Sequence, residues 1–234
     1  MRLGVVIPAL DEAANLARLL PDLLRRARPD AEIIVVDGGS RDGTTEVVRG
    51  QAGVRLLESA RGRARQMNAG ARQVGGDVLL FLHADTRLPD GAIDAIAGAL
   101  ADPAVVAGRF DVRFDSRRRV LAMVAWFMNA RSRATSICTG DQAIFVRRAA
   151  FDAVGGYPDI ALMEDIELCR RLKRRGRLAA LRVRVTTSAR KWEREGPLRT
   201  IGLMWTLRLL YFCGVAPARL HRWYYGPPKE SQPP

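Results

Sequence analysis

Three short, uninterrupted apolar runs, at residues 3–7, 33–36 and 78–82, each break off into a polar cluster that leads towards a helical pattern. Continuous apolar runs of this length suit strands buried on both faces, as in parallel sheets, and parallel strands need long crossovers that return as right-handed helices. Leu16, Leu19, Leu20, Leu23 and Leu24 set the first helix over residues 13–27. Helices are further predicted over 45–49, 62–74 and 89–100, the last with Pro89 in its first turn, and a short strand over 54–57. The expected class is α/β, with a mostly parallel, doubly wound sheet and helices on both faces. Ligands of such sheets collect beyond the carboxyl ends of the strands. Three polar strand ends therefore face one crevice: Pro8 to Glu12, Asp37 to Ser40, and His83 to Thr86.

The second half is less regular. Residues 105–114 alternate and predict a long, half-exposed strand, 120–130 a helix, and 143–146 a short strand after Thr139-Gly140-Asp141-Gln142. Gly155-Gly156-Tyr157-Pro158 predicts a turn, and 165–175 a helix that starts acidic and ends basic, as the helix dipole favours. Residues 178–185 alternate again, so this half of the sheet is expected to be mixed. A chain of 234 residues suits one domain. Residues 1–225 are read as that domain, with a C-terminal amphipathic helical segment over about 197–225 and a disordered Pro-rich tail over 226–234. Within it, residues 198–215 are apolar and aromatic but carry Arg199 and Arg208. A membrane span needs about 20 predominantly apolar residues. The open readings are a buried helix, a homodimer contact, or a helix on a membrane surface with its arginines at the headgroups.

The formal charge of +13 favours polyanionic partners: nucleic acid, anionic headgroups or phosphorylated substrates. No aromatic-interleaved motif or zinc finger accompanies the basic residues, so nucleic acid is not the expected partner. Cys138, Cys169 and Cys213 are far apart and form no CxxC pair, which suggests neither a disulfide framework nor a thiolate metal site. The first strand begins almost at the N-terminus, without the n-region and h-region of an export signal. A cytoplasmic protein is expected, with peripheral contact at the inner face of the membrane through the C-terminal segment as an extension of that reading.

The segments, in order, resemble the family 2 glycosyltransferases of the GT-A fold. Val6-Ile7-Pro8-Ala9-Leu10-Asp11-Glu12 is similar to that family's opening strand and turn, Val35-Val36-Asp37-Gly38-Gly39-Ser40 to its second, and Gly62 to Gly70 to its phosphate-proximal helix. Leu82-His83-Ala84-Asp85 falls where the family has its DxD motif, and Gly155-Gly156-Tyr157 with Glu164-Asp165 resembles its acceptor-side turn and catalytic acidic pair. More narrowly, His83-Ala84-Asp85-Thr86, Gly140-Asp141-Gln142 and Ser188-Ala189-Arg190-Lys191-Trp192 resemble the branch called radical-SAM/selenodomain-associated transferase 2. The resemblance implies a Rossmann-like GT-A domain, with a nucleotide-sugar half over about 1–100 and an acceptor half over about 101–195. It implies inverting transfer of one sugar from a nucleoside diphosphate sugar, UDP-linked by preference, to an acceptor hydroxyl, with Mn2+ or Mg2+.

The residue types suit that chemistry. Asp37 and Glu12 can accept hydrogen bonds from a base N–H or from ribose hydroxyls. Pro8 and Ala9 offer backbone contacts, Ala84 a close wall, and Arg63, with Arg65 as a second candidate, a guanidinium for phosphate. Turn capping is the competing reading for Asp37. By resemblance, Asp85 is the metal ligand; hard cations such as Mg2+ take one or two protein carboxylates besides phosphate oxygens and water. His83 stands where the family has its first acidic residue, and bonds to donor, favours Mn2+, or simply packs. Asp165 is assigned as the base and Glu164 as acceptor holder or loop support; helix capping is the competing reading for both. Gly140, Asp141 and Gln142 are expected to line the acceptor pocket. Arg190 is expected to contact diphosphate, and Trp192 either to stack on a sugar or to pack in the core. Two rivals remain at this stage: a nucleotidyltransferase, which would want a basic Gly-rich loop where the acidic 8–15 segment stands, and a basic binding protein without catalysis.

Overall fold

The computed structural model describes residues 1–226; residues 227–234, most of the expected tail, lie outside the described residues. In chain order the elements are β1 (Leu3–Ala9), α1 (Ala13–Arg26), β2 (Glu32–Asp37), α2 (Thr44–Arg49), β3 (Val54–Glu58), α3 (Arg63–Gln73), β4 (Val78–Phe81), β5 (Thr86–Arg87) and α4 (Ala92–Ala99). There follow β6 (Val105–Phe114), α5 (Arg119–Thr135), a 3-10 turn at Gly140–Gln142, β7 (Ile144–Arg147), α6 (Arg148–Ala153), α7 (Glu164–Leu172), β8 (Arg177–Thr187), α8 (Arg190–Glu195), α9 (Pro197–Phe212) and α10 (Pro217–Tyr225).

The eight strands form one sheet in the order β3-β2-β1-β4-β7-β6-β8-β5. From β3 to β4 the pairing is parallel; β7 runs antiparallel to both neighbours, β6 and β8 are parallel, and β5 closes the edge antiparallel. The chain moves outwards from β1 to β3 on one side and restarts at β4 on the other, so the switch in strand order falls at β1 and β4. That is where doubly wound sheets open a crevice.

Alternate residues of each strand feed two apolar layers. Val5, Ile7, Ile33, Val35, Val78 and Leu80 pack on α1, α4 and α5, while Val6, Ile34, Val36, Leu79 and Phe81 pack on α3, α6 and α7. Helix α3 lies so close to the sheet that a side chain at Gly70 would strike Val6 and Val36. A third, smaller cluster joins Met163 and Ile166 of the α7 region to Leu207 of α9 and Leu220 of α10. Thus the C-terminal segment packs on the helix that begins with Glu164 and Asp165. No helix among the described residues is long and apolar enough to cross a membrane.

Two expectations change. The 105–114 strand is almost wholly buried, because its polar residues turn inwards as a network: Arg109 bonds Asp111 and the Asn129 carbonyl, and Arg133 bonds both Asp111 oxygens at 2.8 and 3.0 Å. Pro89 precedes the helix it was expected to enter, since Gly91 at φ 71° turns the chain into α4. Cys138 and Cys169, distant in sequence, meet in the core as free thiols with their sulfurs 3.2 Å apart. Part of the basic charge is structural: Arg148 donates to the carbonyls of Ala71, Val74, Gly75 and Gly76, closing the C-terminus of α3 as the helix dipole favours.

Candidate active site

The first two strand ends are laced together. Asp37, buried at the tip of β2, accepts from the Gly39 and Ser40 amides at 2.9 and 3.0 Å and from the Ser40 hydroxyl. Ser40 Oγ in turn accepts from the Asp11 amide (2.9 Å), and Thr44 Oγ1 from the Glu12 amide (2.8 Å). Asp37 therefore caps its own turn, as one of its two readings expects. Gln66 of α3, which the sequence reading missed, donates to the carbonyls of Ala9 (2.7 Å) and Val36 (2.8 Å) and fixes the spacing of β1 and β2. Pro8 and Ala9 lie at the end of β1 beside it. Burial raises the Glu12 carboxyl, with the Asn15 amide opposing and Asp85 adding to the rise; Arg190 and His83 also face it.

The end of β4 contributes the central cluster. Ala84 is buried in the core, and Thr86 Oγ1 donates weakly to Asp85 (3.3 Å) while the β5 and β8 pairing fixes this turn to Thr186 and Thr187. Burial pushes the Asp85 carboxyl up, the neighbouring Asp141 adds to this, and His83 and Arg63 oppose it. His83 Nδ1 donates to Asp141 Oδ1 (3.2 Å), while its Nε2 is buried without a partner. The ring lies directly over Gly140, where any Cβ would collide with it. Burial alone would raise Asp141, but the His83 hydrogen bond, Arg63 and Lys191 outweigh it and hold the carboxyl low.

From the opposite side, α7 presents its N-terminus. Glu164 is buried and lies 3.7 Å from Arg63 at the start of α3. Asp165 accepts from the Gly140 amide (3.1 Å) with one oxygen and from the Ile166 amide (2.7 Å) with the other. Arg63 keeps nearly half of its side chain exposed; partial desolvation opposes its charge, yet Glu164, Tyr225, Asp141 and Asp165 together raise its pKa. Non-glycine residues at positive φ are few in the fold, and Asp11, Ala143 and Met163 among them flank these loops. Strain of this kind persists where the surroundings over-determine it.

Donor-side and acceptor-side expectations thus meet: Glu12, Arg63, His83, Asp85, Asp141, Glu164 and Asp165 come together from five segments. Arg65 does not join them, because its Nε bonds Asp159 on the surface at 2.9 and 3.0 Å. Gln142 is a correction: it is fully buried and its amide donates to Ser132 Oγ (3.0 Å), so it braces the loop and offers nothing to a pocket. Trp192 packs edge-on against Phe114, with ring centres 5.5 Å apart, while Arg190 is exposed at the start of α8. Lys191, passed over in sequence, bonds Tyr224 of α10 and lies 3.7 Å from that ring's centre, which brings the C-terminal helix to the edge of the site. A cavity of about 270 Å³ near Met1, Asp77 and Arg147 lies at the other end of β4, away from this chemistry.

A divalent ion fits the residues present. Asp85 is a half-buried carboxylate disfavoured by burial and by Asp141, a state that a cation relieves. Among the described residues no three His, Cys, Asp or Glu side chains converge as a ligand set. An ion here would take its remaining ligands from diphosphate and water, as Mg2+ commonly does.

The architecture is that of the GT-A transferases. The fold matches mannosyltransferase PcManGT from Pyrobaculum calidifontis, solved with GDP-Man and Mn2+, with a TM-score of 0.61 and 29% identity over 79% of this chain and 56% of that one. It also matches S. aureus TarS in complex with UDP-GlcNAc, with a TM-score of 0.64; at 16% identity, over 80% of this chain and 58% of that one, that likeness concerns the fold alone. The Glycosyl transferase family 2 model matches residues 4–155, more than half of the chain, and the protein belongs to that family. Succinoglycan biosynthesis protein ExoA of Rhizobium meliloti is 31% identical over 74% of this chain and 58% of its own length. A PGL/p-HBAD biosynthesis glycosyltransferase of Mycobacterium bovis is 31% identical over 66% of this chain and 62% of its own. The chain spans less than two thirds of the length of each of these relatives.

Proposed function

We propose that this chain transfers a single sugar, with inversion, from a nucleoside diphosphate sugar to an acceptor hydroxyl, in the manner of the narrower transferase branch its motifs resemble. The observation that carries the reading is the meeting of Arg63 with Glu164, and of Gly140 with Asp165, which ties a phosphate-suited cation to a fixed carboxylate across the crevice.

In this reading the first 100 or so residues bind most of the donor, with Asp37, Glu12, Pro8 and Ala9 at the nucleoside and Arg63 at the diphosphate, to which Arg190 of α8 adds a second guanidinium. Asp85 holds the divalent ion, which when bound offsets charge on the departing diphosphate. Residues of about 101–195 hold the acceptor. Asp165 keeps a free lone pair on each oxygen beyond the two amide bonds, and takes the hydroxyl proton as the new C–O bond forms and the sugar–phosphate bond breaks. No protein acid is required at the leaving group. Glu164, held by Arg63, supports that loop.

The preference for UDP comes with the family resemblance, since Asp37 and Glu12 suit any base N–H or ribose hydroxyl, whereas the Pyrobaculum relative holds GDP-Man, so the decisive panel contains both. Calorimetry of UDP- and GDP-sugars with and without Mn2+ is expected to give binding that requires the metal for at least one donor. No metal-dependent binding of either would overturn the reading.

A membrane-surface position is favoured by a separate observation. Trp126 and Phe127 of α5, Trp205, Leu209 and Phe212 of α9, and Trp223 of α10 are all more than half exposed, and Arg199 of α9 and Arg219 and Arg222 of α10 are exposed as well. Aromatics beside basic residues suit an anionic bilayer surface. Flotation with anionic vesicles tests this; a homodimer through the same face would instead appear in sedimentation.

A further inference from the structure

His83 belongs to the turn that carries Asp85: the Thr86 amide donates to the His83 carbonyl at 3.0 Å and closes that turn. Its ring nevertheless serves another segment. Nδ1 donates to Asp141 Oδ1 (3.2 Å), and Nε2 is buried without a hydrogen-bond partner. One nitrogen is engaged and the other covered, which leaves neither for a metal or a phosphate oxygen. What covers Nε2 is Gly140. A Cβ added there would collide with Nε2 and Cε1, and the nearest atoms it would meet all belong to this ring. Gly140 is not among the glycines at positive φ, so it is the ring, and not the backbone, that requires a glycine at this position.

The Gly140 amide in turn donates to Asp165 Oδ2 (3.1 Å), while the other oxygen accepts from Ile166 within its own helix (2.7 Å). The Gly140 bond is thus the one that ties this carboxylate to a segment outside α7. The turn at Gly140–Gln142 is held at its far end by Gln142, whose amide donates to Ser132 Oγ (3.0 Å) and whose oxygen accepts from the Thr139 amide (3.3 Å). Ala143 then leaves it at φ 49°. A short turn with a strained exit keeps its shape only where its surroundings fix it. At the end facing β4, His83 does so, packed on Gly140 and bonded to Asp141.

We propose that His83 is a positioning residue for the base: seated on Gly140 and bonded to Asp141, it aims the Gly140 amide at Asp165, and it binds neither metal nor donor. This rests on the transferase reading, in which Asp165 takes the acceptor proton, and names the residue that sets its direction. The same side chain joins the two halves of the chemistry, since Asp85 follows it by two residues and Asp165 lies one hydrogen bond beyond Gly140. Misplacing a reacting group by about 1 Å costs on the order of 100-fold in rate, so such a brace matters to turnover without touching substrate.

Glycine-selective nitrogen-15 labelling of the full chain reads this link without an acceptor. The Gly140 amide signal, assigned by its loss in Gly140→Ala, should shift in Asp165→Asn and exchange with solvent about tenfold or more faster in His83→Ala, as loss of a bond to a carboxylate implies. The Gly50 and Gly156 amides, bonded to the Glu46 and Phe151 carbonyls at 3.0 and 2.9 Å, should keep their wild-type rates, which separates local release from a general loss of stability. Gly140→Ala should lower the melting temperature in wild type but not in His83→Asn, which removes the two obstructing ring atoms and keeps an N–H for Asp141. Calorimetry of UDP and GDP with Mn2+ should find His83→Ala within about threefold of wild type and Asp85→Asn without metal-dependent binding. Unchanged Gly140 exchange in His83→Ala, an equal cost of Gly140→Ala in both backgrounds, or loss of metal-dependent nucleotide binding in His83→Ala overturns the proposal. Wild-type protein that binds neither nucleotide would instead remove the transferase reading, and the link from His83 to Asp165 would still stand or fall on the exchange of Gly140.

Discussion

Glu164 carries the clearest electrostatic cost at the site. Burial raises its carboxyl, Arg63 opposes this, and Asp165 adds to it, so its folded pKa lies above the unfolded one. A carboxyl raised in this way adds stability below its unfolded pKa and loses it as pH rises through the folded value. Glu164→Gln should therefore match wild type in acid and melt higher at neutral pH, while transferring sugar more slowly. Melting curves that stay parallel from about pH 4 to about pH 8 would contradict this account. Residues of this kind were legible as types and not as contacts. Asp85, Glu164 and Asp165 stand out in sequence because they sit at ends of patterned segments, but Gln66, Lys191 and Tyr224 do not. The Lys191 and Tyr224 contact spans 33 residues, and nothing local marks the two as partners.

At the scale of elements, apolar runs made β1, β2 and β4 readable, since buried parallel strands leave no polar alternation to confuse the period. Strand β6 was misjudged for the complementary reason. Its alternating Arg109 and Asp111 look solvent-facing, yet they neutralise each other in the interior with Arg133 closing the network. Periodicity cannot distinguish a polar residue facing water from one facing a counter-charge. Elements such as β5, α6 and α8 are too short to have a period at all. The network itself is testable: Asp111→Ala leaves Arg109 buried and unpaired, which should cost about 3–5 kcal/mol. Chemical denaturation reads it directly, and a loss below about 1 kcal/mol would mean that Arg109 finds another partner or water.

Across the whole molecule the charge of +13 has several destinations. Some arginines close helix ends, some pair with carboxylates, Arg63 faces the crevice, and others remain on the face that carries the exposed aromatics. If that face meets lipid, vesicles rich in anionic headgroups should retain the protein, and added salt should weaken binding because surface charges are screened. Replacing Trp205 and Phe212 together by Ala should lower retention about tenfold or more, since each large apolar side chain contributes about 2 kcal/mol when buried. Retention unchanged by salt and by the substitutions would remove the membrane from the account.

The proposed site divides into a donor-binding carboxylate and a proton-accepting one, and Asp85→Asn and Asp165→Asn measured side by side test that division. Asp85→Asn should abolish metal-dependent donor binding. Asp165→Asn should bind donor with nearly wild-type affinity and lower transfer by about 100-fold or more, the scale of a lost general base. Full turnover in both variants, or loss of donor binding in Asp165→Asn with Asp85→Asn unaffected, would contradict the account.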